Sequence, residues 1–352
     1  MEEINNDDMR IRLDKYYTIS SKLNYLSDND VKQYFENNTN TIEGWGVNYI
    51  FELDENKIFM KALKVTQKEF DNRFDTSNLF NLPDFYNYGI GSCGINVWRE
   101  LETHIKTTNF VLQNEFHYFP LLYHYRIVEY TTYETIKYNT DYLAYWNNNT
   151  NIQNYLDEKN KTKYKLLLFL EYIPIPLNDY IFKTKKLGYV YNKCYDIIQF
   201  MNSKNILHFD SHTGNFLADD RDNIYITDFG LCIDKDFKLS KRESLFYNLN
   251  IKCDINNFSL SLLLHRLFDI IISKNHINHY EKHFNFIWDA KLSDYNNIVE
   301  IIRNNYEYIF KTEKINIDGL DIKKIIKIAC EYSCFIDKLD QDNTKNYKNY
   351  LL

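Results

Sequence analysis

Residues 206–230 read Ile-Leu-His-Phe-Asp-Ser-His-Thr-Gly-Asn-Phe-Leu-Ala-Asp-Asp-Arg-Asp-Asn-Ile-Tyr-Ile-Thr-Asp-Phe-Gly. Asp210 and Asn215 lie five positions apart in a loop rich in turn-forming residues, and Asp228 follows a short apolar run. A polar turn between two short apolar runs predicts two strands that fold back on each other, with Asn215 and Asp228 at neighbouring strand ends. A carboxylate and an amide oxygen form a site of the kind that Mg²⁺ prefers when phosphates supply the remaining ligands. Asp210 beside it is placed to accept a proton from an attacking hydroxyl.

This order and spacing resemble the protein-kinase superfamily. Its catalytic loop reads His-Arg-Asp, four residues and Asn, followed by a strand and Asp-Phe-Gly; here the three matches are His208-Phe209-Asp210, Asn215 and Asp228-Phe229-Gly230. The resemblance implies an α+β, bilobal protein-kinase-like fold with a β-rich N-lobe and a mainly helical C-lobe, binding ATP and Mg²⁺ between them. It makes Asp210 the catalytic base and Asn215 and Asp228 the metal ligands. The alternative is two solvated turns, in which Asp and Asn are common.

Residues 41–64 alternate apolar and polar side chains around a turn at 54–56, which predicts a β-hairpin. Glycines at the start of a hairpin can lay backbone N–H groups over phosphates. By resemblance, Gly44 and Gly46 stand for the glycine-rich loop of the family, although its third glycine is missing here, and Lys61 for the strand lysine that reaches the α- and β-phosphates. Lys64 is the rival lysine, on the opposite face of the same strand.

Residues 97–108 carry apolar side chains at helical spacing, and the predicted helix has Glu100 at the edge of its buried face. By resemblance, Glu100 pairs with Lys61 and holds it on the phosphates; a solvated glutamate is the alternative. The stretch 89–94 matches Gly-x-Gly-x-x-Gly without a preceding strand. This context favours a lid above the nucleotide or a plain glycine turn over a dinucleotide site.

The asparagine- and lysine-rich residues 139–163 show no periodicity, which predicts an exposed loop. Residues 164–174 then read as a buried strand that ends in a linker. In the kinase family this strand leads to the hinge between the lobes. The resemblance therefore implies that backbone groups of Glu171 and Ile173 contact the adenine.

Residues 187–201 carry an apolar stripe that predicts a helix beneath the catalytic loop. Further along, Asp254 resembles the kinase aspartate that braces this loop through its backbone. Phe209 replaces the family's arginine, which normally receives a phosphate. That loss, together with the short segment after Gly230, implies activity without a phosphorylation switch. His212 resembles the aminoglycoside and choline phosphotransferase branch, where it would hydrogen-bond the γ-phosphate or the acceptor.

The resemblance divides the 352 residues into an N-terminal helical extension (1–40), an N-lobe (41–173) with an insertion at 66–96, and a C-lobe (174–352). Hydrophobic content of 44% and charged content of 26% are ordinary for a soluble globular protein. The net charge of −7 argues against a nucleic-acid partner, and no stretch predicts membrane insertion. Six cysteines without a Cys-x-x-Cys pair and a polar, acidic start predict a cytoplasmic protein.

The sequence therefore predicts an ATP- and Mg²⁺-dependent phosphotransferase, and Asp-Phe-Gly favours a Ser/Thr protein kinase with a protein substrate. His212 and the short segment after Gly230 favour a hydroxylated small molecule as the acceptor instead. A nucleotide-binding pseudokinase is the non-enzyme alternative, against which the complete set of Asp210, Asn215 and Asp228 argues. Transfer of AMP in place of phosphate is a further, minor alternative.

Overall fold

The computed structural model of the protein describes residues 6–37, 41–42, 47–83, 86, 95–129, 136, 138, 140–184, 186–259 and 261–262. The helices are α1 (Asn6–Tyr25), α2 (Asp28–Asn37), α3 (Gln67–Asp71), α4 (Val97–Leu112), α5 (Thr140–Tyr145), α6 (Thr150–Lys161), α7 (Leu177–Thr184), α8 (Leu187–Ser203) and α9 (Lys241–Leu249). The strands are β1 (Thr41–Ile42), β2 (Val47–Leu53), β3 (Asn56–Val65), β4 (Leu122–Glu129), β5 (Tyr164–Glu171), β6 (Ile175–Pro176), β7 (Ile206–Leu207), β8 (Phe216–Ala218), β9 (Ile224–Ile226) and β10 (Ile233–Asp234). Residues 253–259 are also helical. This mixture of helix and sheet agrees with the predicted α+β class.

The largest sheet is antiparallel and has five strands in the order β1-β2-β3-β5-β4. Strands β2 and β3 form the predicted hairpin. Its two loop residues, Asp54 and Glu55, have φ angles of 47° and 64°, the left-handed backbone that a two-residue hairpin turn requires. The hairpin is therefore encoded locally, in the alternating apolar residues and in the turn between them.

Strand β3 faces two different environments, because successive side chains of a strand point to opposite faces. Ile58, Met60 and Ala62 enter the largest apolar core of the described residues. Phe59 and Leu63 pack instead against the apolar cluster that includes Val97, Trp98 and Leu101 of α4. Lys61 lies between Phe59 and Leu63 in sequence and shares their face, so the strand period turns it toward α4.

The junction of α3 and α4 fixes where α4 begins. Glu69 of α3 is fully buried. Its Oε2 accepts hydrogen bonds from the backbone N–H and the hydroxyl of Thr66, both at 2.9 Å. Its Oε1 accepts the N–H of Val97 at 3.0 Å, and the Trp98 indole donates to the Glu69 carbonyl. One buried carboxylate thus satisfies donors at the first turns of two helices, which otherwise lack intrahelical partners.

The prediction of an exposed loop at 139–163 is wrong. Helices α5 and α6 cover most of this stretch, and Ile152, Tyr155 and Leu156 of α6 are buried. Asn149 caps α6 by accepting hydrogen bonds from two backbone N–H groups of its first turn. The apolar residues repeat at steps of three and one, and they pack against Phe80, Tyr86 and Trp146, among others. The apolar stripe is short and lies among Asn and Lys residues. The polar composition therefore predicted a loop, although tertiary packing stabilises a helix there.

Residues 206–230 form the short strands β7, β8 and β9, and helix α8 packs against them. Strands β8 and β9 form the predicted hairpin, and β6 extends it on the β8 side. Helix α8 buries the predicted stripe of Val190, Cys194, Ile197, Ile198 and Met201 and contacts β7 and β9.

None of the helices in the described ranges combines the length and apolar character that a bilayer crossing requires. The stretch 89–94 and the predicted C-lobe after residue 262 lie outside the described residues.

Replacing Glu69 with Ala is expected to lower the free energy of unfolding by about 3 kcal/mol, because buried N–H donors of α3 and α4 lose their acceptor. Urea denaturation provides the measurement. Glu102→Ala, at an exposed position of α4, is the matched control and is expected to change stability by less than about 0.5 kcal/mol. Equal effects of the two substitutions would contradict the role given to Glu69.

Candidate active site

A lysine between two carboxylates forms the centre of the site. Lys61 Nζ lies 2.6 Å from Oε1 of Glu100 and 2.7 Å from Oδ1 of Asp228. The Lys61 and Glu100 side chains are 12% and 7% exposed, whereas Asp228 keeps 39% exposure and can meet a ligand. Gly230 lies so near that a Cβ there would stand 3.3 Å from Glu100 Oε2. Of the two rival lysines, Lys61 is the one that makes these contacts.

The three charges determine one another's protonation. Burial alone would lower the pKa of Lys61, but the Asp228 and Glu100 carboxylates outweigh it and raise that pKa. Burial likewise opposes ionisation of Asp228, yet Lys61 holds the Asp228 pKa at about 2. The pKa of Glu100 is raised because burial outweighs the attraction of Lys61. At neutral pH the Lys61 ammonium therefore lies beside an ionised Asp228.

The second half of the site is the loop that carries Asp210. The Asn215 amide donates to the backbone carbonyl of Asp210 at 2.7 Å and to its Oδ2 at 3.0 Å. His212 Nε2 lies 3.6 Å from Asp210 Oδ1, with the His212 side chain 43% exposed and that of Asp210 19% exposed. His212 Nδ1 accepts the N–H of Gly214, where any Cβ would stand 2.7 Å from the imidazole. A side chain at position 214 would therefore have to displace the His212 imidazole.

Asp254 holds the loop in place from the helical residues 253–259. Its carboxylate accepts the backbone N–H groups of His208 and Phe209, both at 2.7 Å, and its carbonyl accepts the Ser211 hydroxyl. Burial raises the pKa of Asp254, although His208 and these hydrogen bonds oppose the rise. The predicted bracing of the loop through its backbone is confirmed.

Two residues of the site adopt left-handed backbone. Phe209 has a φ of 61° and Asp228 a φ of 64°, which is rare for residues other than glycine and costs about 1–3 kcal/mol each. Both are held by neighbours. Asp254 accepts the Phe209 N–H. The Thr227 N–H donates to the Asn215 carbonyl at 2.9 Å, and the Thr227 carbonyl lies 3.0 Å from His208 Nε2. These bonds join the Asp210 loop to the segment of Asp228.

Phe229 fills the space behind these charged groups. It is fully buried, with its ring centroid 4.7 Å from that of His104 and 5.7 Å from that of His208, both edge-on. His208 therefore packs against the Phe229 ring. Both His104 ring nitrogens are buried without a hydrogen-bond partner among the described residues. The pKa of His104 is lowered to about 3, mainly because the ring is buried and in addition because the Lys61 ammonium lies nearby.

The end of β5 contains a contact that the sequence did not reveal. Glu171 is held by Arg12 of α1, whose guanidinium lies 2.6 Å from Oε2 and 2.9 Å from Oε1. The same guanidinium donates to two backbone carbonyls of the 117–119 segment. The Glu171 backbone N–H donates to the Leu121 carbonyl at 2.8 Å, so this N–H already has a partner within the protein. Ile173, two residues later, is buried.

A signal for Arg12 was present in α1. Met9, Arg12, Tyr16, Ile19 and Leu23 recur at steps of three, four, three and four, which is the spacing of one helix face. An arginine within an otherwise apolar stripe indicates a buried guanidinium, and a buried charge requires a partner. The sequence could thus have predicted the burial of Arg12, although not that Glu171 is its partner.

The predicted residues fall into three groups. Lys61, Glu100 and Asp228 meet directly. Asp210, Asn215 and His212 share one loop. Glu171 is the last residue of β5, and Ile173 follows two residues later. Gly44 and Gly46 lie outside the described residues. Within the described ranges, no group of three or more His, Cys, Asp or Glu side chains could hold a metal ion. Any metal held by Asn215 and Asp228 would need further ligands, from water or from a bound molecule.

Arg12→Met is expected to lower the free energy of unfolding by about 3–5 kcal/mol, because it leaves the largely buried Glu171 carboxylate without its partner. Arg221→Met is the matched control: Arg221 also pairs with an acid of α1, Asp8, but at an exposed position. The control should cost less than about 1 kcal/mol. Chemical denaturation of both variants measures the difference, and similar losses would rule out a special role for Arg12.

His104→Leu is expected to reduce the loss of stability in acid. With a folded pKa of about 3 and an unfolded pKa near 6.5, the unfolded chain takes up a proton between these values and the folded chain does not. Stability therefore falls as the pH drops below about 6.5, by about 2 kcal/mol at pH 5. Urea titrations at pH 7 and pH 5 measure the loss of the free energy of unfolding between the two pH values, and this loss should be smaller in the variant than in wild type by that amount. Parallel losses would show that His104 does not contribute.

No protein-family model matches the chain. An alignment over 107 residues, which covers 29% of the chain, shows 28% identity to the probable serine/threonine-protein kinase mkcD of Dictyostelium discoideum. The match covers 16% of that protein's length. At this identity and coverage, the comparison indicates at most a kinase-like relationship.

Proposed function

We propose that the protein is an ATP- and Mg²⁺-dependent phosphotransferase of the bilobal, protein-kinase-like fold, most simply a Ser/Thr protein kinase. The observation that carries the proposal is the Lys61 ammonium bound to both Glu100 and Asp228, at 2.6 and 2.7 Å. These three residues come from parts of the sequence far apart. The partial similarity to the mkcD kinase is consistent with the proposal.

The residues around Lys61 suit a phosphorylated ligand. An ammonium has three N–H donors, so Lys61 can contact a phosphate oxygen while it remains beside Glu100 and Asp228. Both side-chain hydrogen bonds of Asn215 use Nδ2, which leaves its Oδ1 to face a cation. With the ionised Asp228 this is a hard, all-oxygen donor pair of the kind Mg²⁺ takes alongside phosphates. Bound Mg²⁺ would neutralise charge on the phosphates.

Asp210 is the group suited to receive the acceptor's proton. Its Oδ2 is held by the Asn215 amide, and its backbone N–H donates to His208 Nδ1 at 3.2 Å. Asp254 fixes the residues before it. A carboxylate held in this way needs no rearrangement to orient a hydroxyl, and orientation is a main source of rate in phosphoryl transfer.

One observation favours a second acceptor class. His212 lies 3.6 Å from Asp210 and is half-exposed, so it is placed to contact the acceptor, as in small-molecule phosphotransferases by the resemblance noted above. A hydroxylated small molecule is therefore the second candidate. Incubation of the protein with γ-labelled ATP and Mg²⁺, alone or with a panel of amino alcohols and sugars, separates the two: label on protein favours the kinase, and label on a small molecule favours the alternative.

Asp210→Asn is expected to lower the rate of phosphoryl transfer by about 10²–10⁴-fold, the usual contribution of a positioned base. The affinity for Mg²⁺–ATP should change by less than about threefold, because Lys61, Glu100 and Asp228 remain. Asp220→Asn, at an exposed position of the β8–β9 turn, is the matched control and should behave as wild type. If Asp210→Asn retains full transfer, or wild type neither binds ATP nor transfers phosphate, the proposed function is wrong.

A further inference from the structure

The segment that follows Gly230 is joined to α4 by a buried ion pair. Arg99 Nη2 lies 2.6 Å from Oε1 of Glu243 in α9, and the two side chains are only 2% and 1% exposed. Arg99 directly precedes Glu100 in the sequence. Neither Arg99 nor Glu243 belongs to the residues that the resemblance to kinases pointed out.

The geometry of this pair is more complete than that of an incidental contact. While Glu243 Oε1 accepts from Arg99, its Oε2 accepts the backbone N–H of Ser240 at 2.8 Å and so caps α9. Arg99 Nε donates to the Thr76 carbonyl at 2.7 Å, and its guanidinium lies 5.5 Å from the Phe237 ring centroid. Buried ion pairs are tolerated when further hydrogen bonds satisfy the remaining groups; here both Glu243 oxygens and two Arg99 nitrogens are bonded, and Arg99 Nη1 is buried without a partner among the described residues.

Helix α4 is the fixed side of the contact. Its first turn is held by the Glu69 carboxylate and by the Asn96 cap, neither of which involves α9. On the other side of the contact lies the segment 231–250, which carries Glu243. A second contact from α4 acts in the same direction, because Lys106 Nζ lies 2.6 Å from Asp234 Oδ2.

From α9 the contact continues to the loop of Asp210. Phe246, one helical turn after Glu243, stacks on Phe209 with ring centroids 5.2 Å apart and planes 13° from parallel. Phe209 is the residue before Asp210 and has the strained φ of 61°. Arg99, Phe209, Gly230 and Phe246 also line one small cavity of about 20 Å³, so Arg99 and the residue before Asp210 border the same space.

We propose that Arg99 and Glu243 are positioning residues, whose ion pair seats α9 so that Phe246 supports Phe209 and hence the orientation of Asp210. The segment is then held by the chain's own charges. The consequence for catalysis rests on the proposed function, whereas the positioning itself can be measured without it.

The test compares Glu243→Gln, Arg99→Met and the double variant R99M/E243Q with wild type. Gln can retain the α9 cap, and Met retains much of the arginine stem, so the double variant removes the pair without leaving a buried charge. Glu102→Gln, on the exposed side of α4, is the matched control. Hydrogen exchange of backbone amides is read in 205–215, in 231–250 and in strands β3 and β5. Transfer from γ-labelled ATP is measured beside it.

Exchange in 205–215 and 231–250 should rise about tenfold or more in Glu243→Gln, because a buried charge that loses its partner is strongly unfavourable. Exchange in β3 and β5 should stay within about twofold. The double variant should show the same local pattern, and the transfer rate should fall by about tenfold with little change in KM for ATP. These results would support the proposal.

A uniform rise along the chain would make the pair a general stabiliser and overturn the proposal. So would exchange in the double variant that matches Glu102→Gln. If wild type neither binds nor uses ATP, the proposed function is wrong, but the exchange pattern still decides whether the pair seats α9 and the loop.

Discussion

The structure depends on one buried ammonium. A lysine taken out of water must be compensated by charges at close range, and Lys61 finds them on two separate segments. Glu100 lies beside Lys61 because Glu69 fixes the start of α4 and because α4 packs on the face of β3 that carries Lys61. Asp228 contacts Lys61 from a residue whose backbone is in the left-handed region. The alternation of β3, the start of α4 and the strain at Asp228 are thus linked by the same electrostatic requirement.

The same principle recurs at two further buried carboxylates. Asp254 is satisfied mainly by backbone N–H groups of the Asp210 loop, so it fixes the path of a loop. Glu69 is satisfied by donors at the start of α4, so it fixes the position of a helix. Buried polar groups without partners are costly, and each such carboxylate therefore selects one arrangement of the segments around it. The site is positioned by these internal acceptors as much as by apolar packing.

The sequence predicted what is local or follows a pattern. The β2–β3 hairpin, the apolar stripe of α8 and the hairpin after Asn215 were each readable from spacing and turn residues, and the contact of Asp254 followed from resemblance. Helix α6 was missed because its short stripe is stabilised by residues of a distant segment. Arg12 with Glu171 and Arg99 with Glu243 were missed for a related reason: a residue type can indicate that a charge is buried, but only the fold brings its partner to it.

The two sides of the site differ in how they are held, and this difference bears on the proposed chemistry. Lys61 and Glu100 are enclosed, and their charges are compensated before any ligand arrives. Such preorganisation is worth more than contacts formed during a reaction, because no further reorganisation is needed. Asp210 and His212 lie nearer the solvent, on a loop supported from behind by Asp254 and Phe246. If the protein is a phosphotransferase, the enclosed pair would bind the phosphates in one fixed geometry. The selectivity for the acceptor would then depend on the few exposed groups beside it.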